Sequence, residues 1–205
     1  MRVRRLFPTS LYAAPLQRGG TTGFNARLLR ECLQLRRDDR AGAAWSKDRY
    51  VGGYTSYGSV NRMQHFSPTF ADLERKLDRH VRVLARQLDF DLDARPLEMT
   101  DCWVNIMPPR VSHPGHLHPL STISGTYYVR VPRGSPGLKF EDPRLERMMA
   151  APPLRDNARA DNRRWFVQDA VVGHVVLFES WLRHEVAANA SGSERVSISF
   201  NYNWF

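Results

Sequence analysis

Cysteine and long apolar runs are scarce in this sequence, and each scarcity excludes a class of protein. The two cysteines, Cys32 and Cys102, lie far apart, which predicts free thiols in a reducing compartment rather than a disulfide-stabilised secreted fold. No apolar run approaches the roughly 18 residues that a membrane-spanning helix requires. The N-terminal segment is basic without an apolar core, so we expect no signal peptide, no membrane association and a cytoplasmic location.

Lysine is also scarce, so the net charge of +9 comes almost entirely from arginine. A basic protein can bind nucleic acid or an acidic partner. Here the arginines are scattered, with short clusters only at 2–5, 36–37 and 163–164. No basic stripe or known nucleic-acid-binding motif is present, so the pattern favours an arginine-rich solvated surface, and nucleic-acid binding is not expected.

The first half of the chain is predicted to be mainly helical. A short strand near 6–12 precedes a helix over about 25–37, and 38–64 is predicted to be irregular or loosely stranded, although it is rich in aromatic residues. The strongest helix runs from Pro68 to about residue 88, with Ser67 as the N-cap. Its apolar residues recur every three or four positions, which predicts that the helix lies on a sheet.

The second half of the chain is predicted to consist of short strands. They are expected at 103–107, 126–131, 138–140, 165–167, 171–178 and 195–205, with a polar loop and one helical turn over 145–164. Such a series is typical of a β-sandwich or barrel. No repeat or linker divides the chain, so we expect one domain over 1–205, with helical support over about 1–100 and a β core over about 101–205.

Three histidines stand out in this β region. His116 and His118 are two residues apart, so both imidazoles point the same way if the segment is an extended strand. The strand 126–131, the turn 132–137 and the short strand at 138–140 predict a β-hairpin with these imidazoles at its mouth. A third histidine, His184, follows the strand 171–178.

The last strand alternates between polar and apolar residues. Arg195, Ser197, Ser199 and Asn201 share one face, and Val196, Ile198, Phe200 and Tyr202 share the other. A polar face inside the mouth of a barrel, with an apolar face against helices, would account for both sets.

The order of these elements resembles the 2-oxoglutarate- and Fe(II)-dependent dioxygenases. It is most similar to a little-characterised bacterial branch with the elements HxHPxSxxSGxYYV, FxDPR and RxSISFNY, and the resemblance runs from Trp103 to Tyr202. The resemblance implies a mainly β double-stranded β-helix, a cupin-like jelly roll with N-terminal helices. It also implies Fe(II) and 2-oxoglutarate as cofactors and hydroxylation of a substrate, which is not identified.

The resemblance also implies roles for single residues. The family pattern is His-x-Asp/Glu followed by a distal histidine; His116 and His184 match the histidines, and His118 stands where the family has its carboxylate. Asp142 or Glu179 could supply a carboxylate instead.

Arg195 matches the arginine that binds the distal carboxylate of 2-oxoglutarate. Ser197 and Tyr128 are expected beside it. Two other readings stay open: a non-oxidative jelly roll in which three histidines hold zinc or another metal, and a non-catalytic basic binding module.

Overall fold

The computed structural model describes residues 2–93 and 95–204, and this part of the chain contains four α-helices and ten β-strands. The helices are α1 (Thr22–Asp38), α2 (Arg40–Arg49), α3 (Met63–Phe66) and α4 (Pro68–Gln87). The strands are β1 (Leu11–Pro15), β2 (Tyr54–Thr55), β3 (Glu98–Met107), β4 (His113–His116), β5 (Ile123–Arg130), β6 (Leu138–Glu141), β7 (Trp165–Gln168), β8 (His174–Glu179), β9 (His184–Val186) and β10 (Arg195–Asn203).

The predicted helix at 68–88 is confirmed as α4. The Ser67 hydroxyl accepts hydrogen bonds from the backbone N–H groups of Thr69 and Phe70, at 3.1 and 3.3 Å, and Pro68 occupies the first turn, where no N–H is needed. The apolar residues of α4 are buried against the sheet. The helix predicted over 25–37 is also confirmed, as α1.

The prediction of an irregular segment over 38–64 is wrong, because residues 40–49 form α2. The Asp39 carboxylate caps this helix by accepting a hydrogen bond from the Gly42 N–H at 2.8 Å. The same carboxylate accepts hydrogen bonds from the hydroxyls of Tyr54 and Ser59, which fastens the following loop to the helix start. The apolar residues of α2 are consecutive or nearly so, at 41 and 43–45, and form no stripe at helical spacing, so hydrophobic periodicity could not reveal the helix.

The strands form two antiparallel sheets, which confirms the predicted double-stranded β-helix. The six-stranded sheet has the order β1-β8-β5-β10-β3-β2, and the four-stranded sheet has the order β4-β9-β6-β7. One core lies between the six-stranded sheet and the helices, and a second core contains residues from both sheets. The predicted loop over 145–164 is confirmed, with two short 3₁₀ turns, Leu145–Met149 and Ala160–Asn162.

The predicted hairpin between 126–131 and 138–140 is wrong. Strand β5 pairs with β8 and β10 in the six-stranded sheet, whereas β6 pairs with β7 and β9 in the four-stranded sheet. The connection over 132–137 therefore crosses from one sheet to the other. This connection is longer than the tight turns that join the strands of most hairpins. Every residue of β5 except Arg130 is buried, as expected for a strand covered on both faces.

The predicted alternation along β10 is confirmed. Val196, Ile198, Phe200 and Tyr202 are fully buried in the core beneath the helices, and Arg195, Ser197 and Ser199 line a cavity on the other side of the sheet. Phe205, the last residue of the predicted strand, lies outside the described residues. Both cysteines are buried and free, as predicted. In the described part of the chain, every helix is too short or too polar to cross a bilayer.

Candidate metal and cosubstrate site

Three histidines from two adjacent strands and a loop converge on one point. His116 ends β4 and lies opposite His184, the first residue of β9, in the antiparallel pair. His118 lies in the loop after β4, where its backbone N–H donates to the Ser180 carbonyl at 3.0 Å. One ring nitrogen from each histidine lies within 4.8 Å of the others. The strand thus ends at His116, and the loop, rather than continued strand alternation, brings His118 to the same place.

The hydrogen bonds of the three rings leave one nitrogen of each free for a metal. The Nδ1 atoms of His116 and His184 lie 2.9 and 3.0 Å from the carbonyl oxygens of Pro114 and Leu182. The Nδ1 atom of His118 lies 2.8 Å from the Oδ1 atom of Asn201 and 2.8 Å from the Oγ atom of Ser124. A carbonyl oxygen can only accept, so each Nδ1 carries the proton and each Nε2 has a free lone pair. Such contacts orient the histidines of metal sites.

The polar side chains of Asn201, Ser124 and Asp101 form a hydrogen-bond network behind the ring of His118. The Asn201 Oδ1 atom also accepts a hydrogen bond from Ser124 at 2.8 Å, while the Asn201 side-chain N–H group donates to Asp101 at 3.3 Å. Because a carboxylate only accepts, Asp101 holds the Asn201 amide with its oxygen towards His118. Ser124, in turn, is hydrogen-bonded to Ser180 at 2.7 Å, which links β5 to the loop that pairs with His118.

The environment keeps the three imidazoles neutral. Burial, together with the neighbouring histidines, lowers the pKa of His184 to about 3 and that of His118 to about 4. Burial also lowers the pKa of His116. A metal binds the neutral form of imidazole, so the site is in its binding state over the whole physiological pH range. The donor set of three nitrogens suits Fe(II), zinc or nickel.

The carboxylates considered as alternative ligands stay apart from this cluster. Asp142 forms ion pairs with Arg144 and Arg147 at 2.9 and 3.1 Å. Burial alone would raise the pKa of Asp142, but the hydrogen bonds and charges of these arginines lower it. Glu179, at the end of β8, pairs with Ile123 of β5. Within residues 2–93 and 95–204, the only group of three or more possible metal ligands is the histidine cluster.

Arg195 is a buried cation in the same cavity as the histidines. Its exposed fraction is 3%, its Nε atom makes no hydrogen bond, and none of the ion pairs in the described part of the chain involves it. Its guanidinium carbon lies 5.0 Å from the ring centre of Tyr128. A buried charge without a partner is costly, so the arrangement fits an anion that arrives from outside.

The two other predicted cosubstrate residues flank Arg195. Ser197 lines the cavity and pairs with Tyr128 across β10 and β5. The Tyr128 hydroxyl is buried and makes no hydrogen bond. Burial raises its pKa, although the charge of Arg195 lowers it. The serine hydroxyl and the buried phenol, beside an unpaired guanidinium, provide the donors that a carboxylate requires.

The cavity also has walls that the sequence did not assign to the site. Tyr50, Trp103, Asn105 and His113 line it. Tyr50 follows α2, and burial raises its pKa to about 12 while the charge of Arg195 lowers it. The His113 ring lies 4.3 Å from that of His116 because a register shift in β4 turns both to one side. In the sequence, the only indication that Tyr50 belongs to the site was the large number of aromatic residues in 38–64.

Comparisons with known proteins agree with this geometry. Residues 101–201, about half of the chain, match the family described as "Putative 2OG-Fe(II) oxygenase". No curated protein matches.

Three solved structures share the fold. The epimerase SnoN in complex with Fe³⁺, alpha ketoglutarate and nogalamycin RO is 17% identical, with a TM-score of 0.62 over 95% of this chain and 79% of its own. A Pseudomonas putida prolyl-4-hydroxylase is 15% identical, with a TM-score of 0.58 over 95% and 92%. HygX from Streptomyces hygroscopicus, with nickel, 2-oxoglutarate and hygromycin B bound, is 16% identical, with a TM-score of 0.58 over 95% and 83%. At such identities the likeness shows the fold alone, but the family match covers the strands that carry the histidines and Arg195. Through residues 101–201, the chain belongs to the 2-oxoglutarate- and Fe(II)-dependent oxygenase superfamily.

Proposed function

We propose that the protein is an Fe(II)- and 2-oxoglutarate-dependent dioxygenase of the hydroxylase type. The observation that carries the proposal is the presence, in one cavity, of three oriented imidazoles and a buried arginine without a carboxylate partner. His116, His118 and His184 would hold the metal through Nε2. Arg195 would bind the distal carboxylate of 2-oxoglutarate, with Ser197 and Tyr128 as further donors.

The protein's own groups position the reactants and exclude water. When bound, Fe(II) and 2-oxoglutarate supply oxidative chemistry that converts 2-oxoglutarate and O₂ to succinate and CO₂ as a substrate C–H becomes C–OH. The Arg195 guanidinium presents a rigid fork that matches a carboxylate with two hydrogen bonds. Arg195 and Ser197 lie on β10 in the six-stranded sheet, whereas His116 and His184 lie on β4 and β9 in the four-stranded sheet. The packing of the two sheets would therefore set the distance between the metal and the carboxylate.

A non-oxidative metal protein is the second candidate, since three histidines are also a zinc-binding set. Metal storage or a structural zinc gives no reason for burying Arg195 beside the site. The oxygenase hypothesis explains both the histidines and the buried arginine. A non-catalytic basic binding module would account for neither the oriented imidazoles nor the buried arginine. We also propose that residues 1–205 form a single domain and that the protein is bacterial and cytoplasmic. Its substrate is a small molecule or a protein, and nucleic acid is not a partner.

An anaerobic titration tests the proposed function. Metal-free protein is loaded with Fe(II), 2-oxoglutarate is added, and the charge-transfer absorbance of the complex is followed; succinate formation is measured after air is admitted. We expect one Fe(II) per chain, a 2-oxoglutarate-dependent absorbance band and slow succinate formation. His184→Ala should lose all three. His174→Ala, which alters a histidine outside the cluster, should keep them. Wild-type protein that retains zinc and shows neither the band nor succinate would favour the second candidate.

A further inference from the structure

A second cleft adjoins the histidine cavity and contains two arginines. It is lined by Arg49, Tyr50, Val51, Pro109, Arg110, Val111, Ser112 and Pro114. We propose that the substrate carries an oxyanion group, a phosphate or a carboxylate, that Arg49 and Arg110 bind in this cleft. The proposal rests on the proposed function, because it names the class of molecule that the oxygenase would act on.

The loops on the two sides of the cleft pack closely against each other at Gly52 and Val111. Gly52 has a φ of +80°, and a Cβ atom placed on it would lie 3.1 Å from the Cγ2 atom of Val111. Any other residue at this position would therefore strain the backbone and crowd Val111. The loop after α2 and the loop after β3 thus meet at this contact. The cleft receives Arg49 from the last position of α2 and Arg110 from the loop after β3.

Arg110 is held in a conformation that non-glycine residues rarely adopt, with a φ of +69°. The buried Asn189 maintains it: the Arg110 N–H donates to the Asn189 carbonyl at 2.8 Å, and the Asn189 N–H donates to the Val111 carbonyl at 2.9 Å. The Asn189 side chain also donates to the Met107 carbonyl at 2.9 Å. Strained backbone that is fixed by its surroundings occurs preferentially at functional sites.

The charge of the cleft is not balanced by the protein. No acidic residue lines it, and none of the ion pairs among residues 2–93 and 95–204 involves Arg49 or Arg110. The other polar side chains in its wall belong to Ser112 and Tyr50. Two guanidinium groups with a hydroxyl nearby provide the donors that an oxyanion requires.

The position and size of the cleft connect it to the proposed chemistry. Tyr50 lines both spaces, and Pro114 of the cleft lies between His113 and the ligand candidate His116 in the chain. The histidine cavity has a volume of about 50 Å³, and the cleft about 410 Å³. Once 2-oxoglutarate fills the cavity, the body of a substrate must lie outside it. A substrate held by its oxyanion in the cleft would reach the metal past Tyr50 and His113.

Anion binding to metal-free protein tests the proposal without any turnover. Inorganic phosphate and, separately, acetate are titrated into the protein, and backbone amide shifts are followed by NMR. We expect phosphate to shift the amides of Val51, Ser112 and their neighbours, and the double variant Arg49→Gln/Arg110→Gln to weaken this binding at least tenfold. Acetate shows whether the cleft also accepts a carboxylate. Both arginines are exposed, so the double variant should fold. If the double variant does not fold, the same titration is carried out with the two single variants.

Two further variants separate the cleft from other anion sites. The matched control Arg79→Gln/Arg82→Gln removes the same charge from the exposed surface of α4 and should bind phosphate like wild type. Arg195→Gln should keep the shifts at Val51 and Ser112. The proposal is overturned if neither phosphate nor acetate shifts these amides, if the control loses as much affinity as the cleft variant, or if only Arg195→Gln abolishes binding. None of these outcomes depends on Fe(II) or succinate, so a failed oxygenase assay would be a separate result.

Discussion

Replacing Arg195 by methionine should have opposite effects on stability and on cosubstrate binding. Methionine has a similar length and no charge. In the ligand-free protein, the substitution removes a cation that is 3% exposed and has an unpaired Nε atom. Apolar replacement of buried charges is often stabilising, so we expect the free energy of unfolding to rise by about 1–3 kcal/mol. For a chain of this size each kcal/mol raises the Tm by about 2–4 °C.

The same substitution should weaken 2-oxoglutarate binding. The loss of one charge-assisted hydrogen bond costs about 1.5–3 kcal/mol, so the affinity should fall at least about tenfold. A ligand at one hundred times its Kd stabilises a protein by about 2.7 kcal/mol. At the same ligand concentration, a tenfold weaker Kd reduces this stabilisation to about 1.4 kcal/mol. Arg195→Lys, which keeps the charge but loses the fork, should weaken binding without the gain in stability.

Thermal denaturation with and without 2-oxoglutarate measures both effects, with zinc as a redox-silent metal. Arg130→Met is the control, because Arg130 lies on the neighbouring strand, half-buried and paired with Glu194 at 3.0 Å. The control should lose a little stability and should respond to 2-oxoglutarate like wild type. If Arg195→Met destabilises the ligand-free protein and keeps the wild-type response to 2-oxoglutarate, Arg195 is a structural residue and the cosubstrate binds elsewhere.

Three further predictions concern the histidines. His118→Ala should weaken Fe(II) binding at least tenfold in a competitive metal titration, because it removes one of three donors; wild-type affinity would mean that His118 is not a ligand. Asn201→Leu should weaken metal binding about 10- to 100-fold, since His118 loses one of the two oxygens that orient its ring, and Asn203→Leu, on the same strand, should not. For the metal-free protein, folded pKa values of about 4 for His118 and about 3 for His184 lie below the ordinary 6.5, so the unfolded chain takes up protons first. Acid titration followed by circular dichroism should therefore show stability falling from about pH 6.5 towards pH 4, by up to about 1.4 kcal/mol per pH unit for each histidine; a flat profile would contradict the burial argument.

The sequence predicted those parts of the fold that depend on local pattern. α4 has a capping serine, a proline and a strong apolar stripe, and β10 has strict alternation, so both could be placed in advance. α2 lacks an apolar stripe and starts at a side-chain cap, which composition does not reveal. The pairing of β5 and β6 was predicted wrongly because adjacency in sequence does not determine which sheet a strand joins.

The candidate site was predictable in its donors and not in its walls. His116, His184 and Arg195 could be picked out from the order of elements. His118 reaches the cluster through a loop contact with Ser180, although strand alternation was the argument used for it. Tyr50 and Asn201 come from segments distant in sequence from the histidines they lie beside. Their proximity to those histidines depends on tertiary packing alone.

The charges of the site favour anionic over cationic substrates. A ligand set of two histidines and a carboxylate cancels one of the two positive charges of Fe(II), whereas three imidazoles cancel none. Asp101 accepts a hydrogen bond from Asn201, which contacts His118, and lies outside the ligand set. With Fe(II) and Arg195 the cavity would contain three positive charges, and 2-oxoglutarate brings only two negative ones. Among the groups inside the cavity, one positive charge would be left beside the arginines of the adjoining cleft, while Asp101 contributes its negative charge from behind His118, outside the cavity wall. Repulsion would raise the cost of a cation there, while an oxyanion would be attracted by the cleft and the cavity alike.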